Sequence, residues 1–387
     1  MATENKKYIP ALRFPEFQND GEWSMLKLGK FAKIVMGQSP SSEAYNERGE
    51  GVPLLQGNAD IKDRHQVVRV YTTDITKTCD INDIIMTVRA PVGTISRASF
   101  KSCIGRGVCA IKTDSEYLYQ YLISIEQEWD KLASGSTFVS ITSNQIFDRI
   151  IFVPLTIQEQ KKIADCLSSL DKYIDATKRK LELLKEYKKG LMQKLFPAKG
   201  KTLPELRFFE FQNDEEWIPR PLSDILNYEQ PTPYIVEDDT YKKEGTPVLT
   251  ANKGFILGYT DESLGIYNKL PVIIFDDFTT DKKYVDFPFK IKSSAIKLLS
   301  LKDEERDNLR FVFECMNNIV FEEKEHKRYY ISEYQHINIC VPSSLQEQNQ
   351  IADTLVSVDK QISEYDKKIK ALELHKQGLM QQLFPKL

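Results

Sequence analysis

The chain has 387 residues, 41% hydrophobic and 28% charged, the balance of a soluble globular protein with room for two or three cores. Its net charge of −3 argues weakly against nucleic acid when taken globally, although local field decides in a multidomain chain. No apolar run approaches the ~18 residues of a membrane span, the opening MATENKKYIPAL has no secretory core, and Cys79, Cys103, Cys109, Cys166, Cys315 and Cys340 form no CxxC pair, which favours free thiols in a reducing cytoplasm over metal ligation.

The first motif in chain order is LRFPEFQND, starting at Leu12, followed by Glu22-Trp23; it recurs as LRFFEFQND from Leu206, followed by Glu216-Trp217. A block over roughly 20–157 comes next. Its short apolar runs are broken by Gly, Pro, Asn and Asp, the pattern of twisted sheet with loops, and EYLYQYLISIEQEW reads as a short helix. From Ile81 to Lys112 this block carries Arg89, Arg97, Lys101, Arg106 and Lys112 against Asp83 alone. Such a stretch suits a phosphate backbone, or is a solvated face.

From Gln158 the chain reads as a long helix. Ile163, Leu167, Leu170, Ile174, Leu181, Leu184, Leu191 and Leu195 fall at four- and three-residue steps, the coiled-coil spacing, interrupted at Thr177 and Lys188. Pro154 precedes it and Pro197 ends it. About 33 such residues make a rod of about 50 Å.

The second block, roughly 214–345, shares little with the first. LPVIIFDDF and SSAIKLL read as buried strands and NLRFVFECMNNI as a helix; lysines 269, 282, 283, 290, 292, 297 and 302 face aspartates 276, 277, 281 and 286. From Gln346 a second helix repeats the first in register without a gap. Its seam is Ile351, Leu355, Val358, Ile362, Tyr365, Ile369, Leu372, Leu379 and Leu383, interrupted at Lys376. The chain is therefore a duplicated half-protein. Two matching seams in one chain favour an intramolecular antiparallel pair, with surface helices or a homodimeric coiled coil as alternatives. The expected fold is α+β: two globular α/β-mixed domains (1–157 and 198–345) and two long antiparallel helices (158–197 and 346–387), related by a pseudo-two-fold axis.

Catalytic motifs are missing. There is no phosphate loop (AKGKT at 198–202 lacks its first glycine), no HExxH and no GxSxG. His65, His326, His336 and His375 form no ligand pair, and QPTPY at 230–234 is a poor match to the [DN]PP[YF] loop of a DNA amino-methyltransferase. Asp276 and Asp277 with Lys282 and Lys283 make an unspecific acid–lysine cluster. The chain reads as a binder and not an enzyme, with no catalytic residue and no metal site.

The ordered motifs resemble the specificity subunits of type I restriction–modification enzymes. LRFPEFQNDGEW and LRFFEFQNDEEW stand at the head of each target-recognition domain, VPLTIQEQKKIADCLSSLDKYID and VPSSLQEQNQIADTLVSVDKQIS open each spacer helix, and KGLMQKLFP and KQGLMQQLFP close them. The resemblance implies a non-catalytic DNA-binding subunit whose two domains read the unlike halves of a bipartite duplex site. The helices would set the unread gap and dock two methyltransferase subunits. S-adenosylmethionine, ATP and Mg would sit on those subunits and on restriction/translocase subunits, in a bacterial or archaeal cytoplasm at the nucleoid.

Polar loops in the first block nominate Gln38, Ser39, Ser41, Gln56, Asn58, Arg89, Ser136, Thr137 and Ser140 for base contact, with Arg97, Lys101 and Arg106 from the basic stretch. In the second block Thr250, Asn252, Lys253, Thr279, Thr280, Lys282, Lys283, Lys327, Arg328 and Tyr329 are nominated. Lys327 to Ile331 matches Thr137 to Ile141 with a two-residue slip, counted back from the Val-Pro pair. Asp276 and Asp277 either accept from cytosine or cap a turn. The competing reading is a coiled-coil adaptor whose end domains bind proteins.

Overall fold

The computed structural model describes residues 8–132, 140–238, 240–251, 254–322 and 327–385. It divides into two units, Met1–Lys178 with Lys367–Leu387, and Arg179–Asp366. The two long helices are Ile157–Leu195 and Leu345–Leu383, so each contributes residues to both units. No helix of the described residues is long and apolar enough to cross a membrane.

In the first unit, Ser24–Lys27 pairs antiparallel with Ile150–Val153, closing the block beside its own entrance. Between them lie a six-stranded sheet, ordered Lys33–Met36, Val108–Lys112, Ile84–Thr87, Ile95–Arg97, His65–Gln66 and Ile61–Lys62, and a five-stranded sheet centred on Val52–Leu55. Ile84–Thr87 is buried throughout, which explains a run of apolar residues without alternation. The helix Glu116–Ser124 starts at Ser115, whose hydroxyl accepts from the Leu118 amide at 3.2 Å, a standard N-cap. It buries Tyr117, Leu118, Tyr121 and Leu122 against Ile163 and Leu167 of the first long helix, Met380 and Leu383 of the second, and Phe384 just beyond its end.

The second unit repeats this plan with different strands. Ile218–Pro221 pairs with Asn338–Val341. A four-stranded sheet runs Leu226–Glu229, Ile296–Leu301, Val272–Asp276 and Lys282–Val285, and a three-stranded one Ile256–Thr260, Thr246–Leu249 and Lys290–Ile291. The helix Leu309–Asn317, capped by Asn308, packs on Leu195, Phe196, Ile351 and Leu355. The apolar runs VIIFD and IKLL are the two buried strands expected of them.

In each unit the end of one long helix lies beside the start of the other, the antiparallel arrangement. Lys376 Nζ is 2.5 Å from Asp171 Oδ1 in the first unit, and Lys188 Nζ is 2.7 Å from Asp359 Oδ1 in the second. The two lysines that interrupt the apolar seams are thus ion-paired with the aspartates following Leu170 and Val358. Thr177, the other interruption, donates its hydroxyl to Tyr173 O at 2.7 Å. The remaining seam positions are buried or half-buried.

The duplicated leader phrases also acquire a physical reason. Arg13 holds Glu159 through Nε and Nη2 at 2.7 and 2.8 Å, and Trp23 Nε1 donates to the same carboxylate at 3.2 Å. In the second unit Arg207 holds Glu347 at 2.8 and 2.8 Å, with Trp217 Nε1 at 3.2 Å. Both glutamates are fully buried. Each sits three residues into a long helix after a hydroxyl cap, Thr156 or Ser344, where the helix dipole favours an anion. Hydrogen bonding to the carboxylate, more than any other influence, raises the pKa of Arg13 and of Arg207 above the ordinary arginine value. LRF…EW and the QEQ of the helix are two halves of one buried clamp.

Candidate nucleic-acid interface

The clamps and closing strands hold the ends of each block, leaving the loops at the far edges of the sheets to differ. In the first unit three nominated loops converge. Gln38 N donates to Ile104 O at 2.8 Å and the Thr76 hydroxyl to Gln38 O at 2.5 Å. The Ser39 hydroxyl accepts from both the backbone N and Nε of Arg106, each at 3.3 Å. The loop at Gln56 is held by Asp60, whose Oδ2 accepts from the amides of Gln56 and Gly57 at 2.6 and 3.1 Å. Glycine is required where these loops cross: a Cβ on Gly107 would lie 1.9 Å from Gln56 O, and one on Gly37 2.1 Å from Gly105 O.

The same cluster reaches Arg89. Val88 N donates to Gly107 O at 2.9 Å, Ile141 N to Val88 O at 3.0 Å, and Arg89 bridges Ser140. Gln38, Ser39, Gln56, Arg89, Arg106 and Ser140 therefore occupy one continuous edge. Ser41 is fixed nearby through its amide to Asp74 at 2.9 Å, and Asn58 lies half-buried in the Asp60 turn. Ser136 and Thr137 lie outside the described residues.

Arg97 and Lys101 are not part of this edge. Arg97 is ion-paired with Glu116 and stacked 4.3 Å over Tyr119, whose hydroxyl burial pushes up to about 12. Lys101 faces Asp80 at 3.8 Å; Lys112 binds the same aspartate at 2.6 Å and holds it below the usual carboxylate range. Of the five cations in the 81–112 stretch, Arg89 and Arg106 alone lack a carboxylate partner among the described residues, and both stand on the loop edge.

In the second unit the loop after Val272–Asp276 meets the segment before the closing strand. Asp276 Oδ1 accepts from the amides of Phe278 and Thr279 at 2.9 and 3.0 Å, and its carbonyl from Thr280 N at 3.0 Å. Asp277 O accepts from Tyr329 N at 2.9 Å and its Oδ1 from Tyr330 N at 2.7 Å. Of the two roles left open for these aspartates, turn capping is the one the geometry takes. Neither carboxylate addresses Lys282 or Lys283, so no acid–lysine centre forms; Asp277 instead lies 3.5 Å from the buried Lys297.

Thr279, Thr280, Lys282 and Arg328 collect around this turn, with Arg328 5.8 Å over the exposed Phe278 ring. Lys282 sits 5.7 Å over Tyr334, and burial draws its ammonium below the ordinary lysine value. Lys283 is half-buried on the same strand. Lys327 is exposed but ion-paired with Glu333. Tyr329, nominated as a contact, is 1% exposed and stacks edge-on to Phe321 at 5.2 Å. It is a core anchor, because its backbone amide pulls it onto the sheet. Thr250 lies at another turn, with its amide to Phe255 O at 3.0 Å; Asn252 and Lys253 fall outside the described residues.

The anchors correct the expected alignment of the blocks. Ile141 and Tyr329 make the same hydrogen bond, to Val88 O and Asp277 O, and each stands twelve residues before the valine ending its closing strand (Val153, Val341). The two blocks align there with no slip. Sequence reasoning also missed Arg13, Trp23 and Glu159 with Arg207, Trp217 and Glu347. The signal available was the capping-box spacing TIQE and SLQE, repeated with an arginine and a tryptophan upstream.

A duplicated scaffold carrying unlike, cation-bearing loops agrees with the sequence comparison. Residues 20–186 and 214–374 each match the Type I restriction modification DNA specificity domain. The chain belongs to this family. The specificity subunit of type I restriction enzyme EcoR124I/EcoR124II from Escherichia coli is 50% identical over 132 residues, 33% of this chain and 32% of the relative. A Methanocaldococcus jannaschii chain assigned as the MjaX specificity subunit is 38% identical over 186 residues, 46% of this chain and 43% of the relative. The matches thus span less than half the length of these relatives. The crystal structure of a type I S subunit from M. genitalium superposes with a TM-score of 0.68, covering 98% of this chain and 99% of that one at 16% identity, a likeness of fold. Among the described residues no group of three or more His, Cys, Asp or Glu is placed to hold a metal ion.

Proposed function

We propose that this chain is the DNA sequence-recognition subunit of a type I restriction–modification complex and is not itself a catalyst. The recognition blocks 1–157 and 198–345 each read one half of an asymmetric bipartite duplex site, and the helical segments 158–197 and 346–387 set the gap and dock two methyltransferase subunits. Restriction/translocase subunits complete the complex; S-adenosylmethionine, ATP and Mg belong to the partners. The observation that carries this reading is the contrast within the duplicated specificity domain. The clamp is the same in both units, while the loop edges carry different polar and cationic side chains, Gln38, Gln56, Arg89 and Arg106 in one and Thr279, Thr280, Lys282 and Arg328 in the other. Unlike edges on like scaffolds suit unlike half-sites, since base edges are told apart by donor and acceptor pattern.

Single-molecule methylation sequencing tests it. DNA from cells expressing the chain with its neighbouring methyltransferase subunit should show an N6-methyladenine motif with two different halves and a fixed gap, lost when this chain alone is removed. Methylation identical with and without the chain would refute the proposal and return the protein-binding adaptor.

A further inference from the structure

Beside each buried anchor hydrogen bond stands an arginine, on the acceptor's side in the first unit and on the donor's side in the second. In the first unit the pair next to the Ile141–Val88 hydrogen bond is Arg89 opposite Ser140. Next to the Tyr329–Asp277 bond in the second unit come Phe278 and Arg328. Arg89 and Arg328 are both exposed, and neither has a carboxylate partner among the described residues. Their neighbours in the basic stretches are mostly neutralised: Arg97 by Glu116, Lys112 by Asp80 and Asp83, Lys269 by Glu229, Lys290 by Glu262.

Resting on the function proposed above, we propose that the position beside each anchor is the guanine-reading point of its unit, Arg89 for one half-site and Arg328 for the other. Three features carry the inference. A planar guanidinium matches O6 and N7 of guanine in the major groove with two parallel hydrogen bonds. The residue next to each arginine, Val88 or Tyr329, is fixed by the anchor hydrogen bond, whose donor is 4% exposed at Ile141 and 1% at Tyr329, and this supplies the rigid seat a reading side chain needs. The surroundings are mostly polar and aromatic: Ser140 lies opposite Arg89, with Gln56, Ser39 and one further cation, Arg106, on the same edge, and Arg328 lies over Phe278 with the half-buried Lys282 at the same turn, so among the described residues each arginine has at most one unpaired cation beside it and does not belong to a lysine-rich strip. Because the arginine stands on the acceptor's side of the anchor bond in one unit and on the donor's side in the other, its approach differs between units, which leaves each half free to differ around its guanine.

The experiment uses the full chain with its methyltransferase subunit and compares wild type, Arg89→Ala, Arg328→Ala and the exposed Lys302→Ala by methylation sequencing. Each half of the wild-type motif should contain a G·C pair. Arg89→Ala should make one G·C position degenerate in one half, with discrimination there reduced roughly 5- to 150-fold, the gap and the other half unchanged. Arg328→Ala should do the same in the other half, and Lys302→Ala should leave the motif intact. Intact motifs in both arginine variants, or a uniform drop in methylation without a degenerate position, would overturn the assignment, the latter marking phosphate contacts. A wild-type chain that directs no motif would fail the underlying reading instead.

Discussion

Arg207→Ala is the perturbation that tests the clamp most directly. The Arg207 side chain is 9% exposed and Glu347 1%, so removing the guanidinium leaves a carboxylate sealed in the second unit with Trp217 Nε1 at 3.2 Å as its remaining side-chain donor. Breaking a buried pair on one side costs about 3–5 kcal/mol, a large share of the 5–15 kcal/mol typical of a folded protein. For a unit of this size that is a fall of roughly 6–20 °C in Tm. Thermal unfolding of the full chain by far-UV circular dichroism and tryptophan fluorescence reads it. The double variant Arg207→Met with Glu347→Gln should recover most of the loss, since no unpaired charge remains and the amide oxygen still accepts from Trp217. A single variant within about 0.5 kcal/mol of wild type, or a double variant worse than the single, would refute the clamp as the element that seats the helix.

Other consequences can be measured on the same protein. Gly107→Ala forces a backbone shift at Gln56 and should cost about 1–3 kcal/mol, with DNA-directed methylation falling too. Gly190→Ala and Gly378→Ala, where the added carbon meets nothing within 4 Å, should each raise stability by about 1 kcal/mol; a loss at either would contradict the open helix face. The Glu262 carboxyl is held below its ordinary value of 4.5, chiefly by its hydrogen bond from the buried Lys290. Its contribution is therefore complete above about pH 4.5 and fades as pH falls through the lower folded value. Glu262→Gln should be less stable than wild type at neutral pH, the two denaturation midpoints converging on acidification, and a widening gap would reverse the sign. Burial pushes the Cys109 thiol up to about 12 and raises Cys79 as well, so mass spectrometry after brief alkylation at neutral pH should find both unmodified until denaturant is added.

The two long helices, the buried strands and the short capped helices were legible because each is written in local periodicity, and the duplication because its two copies match residue for residue. Charge was not. Arg97 and Lys112 look like part of a basic stretch, yet their partners Glu116 and Asp80 reach them only when sheet and helix assemble. Tyr329 read as a polar loop residue because an aromatic beside Lys327 and Arg328 gives no sign of which way it faces; its amide bond to Asp277 decides that. Lys188 and Lys376 read as faults in an apolar seam, and only the antiparallel pairing supplies Asp359 and Asp171. What sequence could not supply, in each case, was a partner distant along the chain.

The clamp has one further consequence. In each unit an arginine and a tryptophan of the leader grip one carboxylate at the start of the long helix, and none of these three side chains belongs to the loop edge between them. A gene segment cut just after the tryptophan and rejoined just before the closing valine would carry a whole reading surface and leave both jaws in place. On the function proposed above, such a socket would let recombination replace one half of a recognition sequence in a single event, while the partner subunits would meet an unaltered fitting.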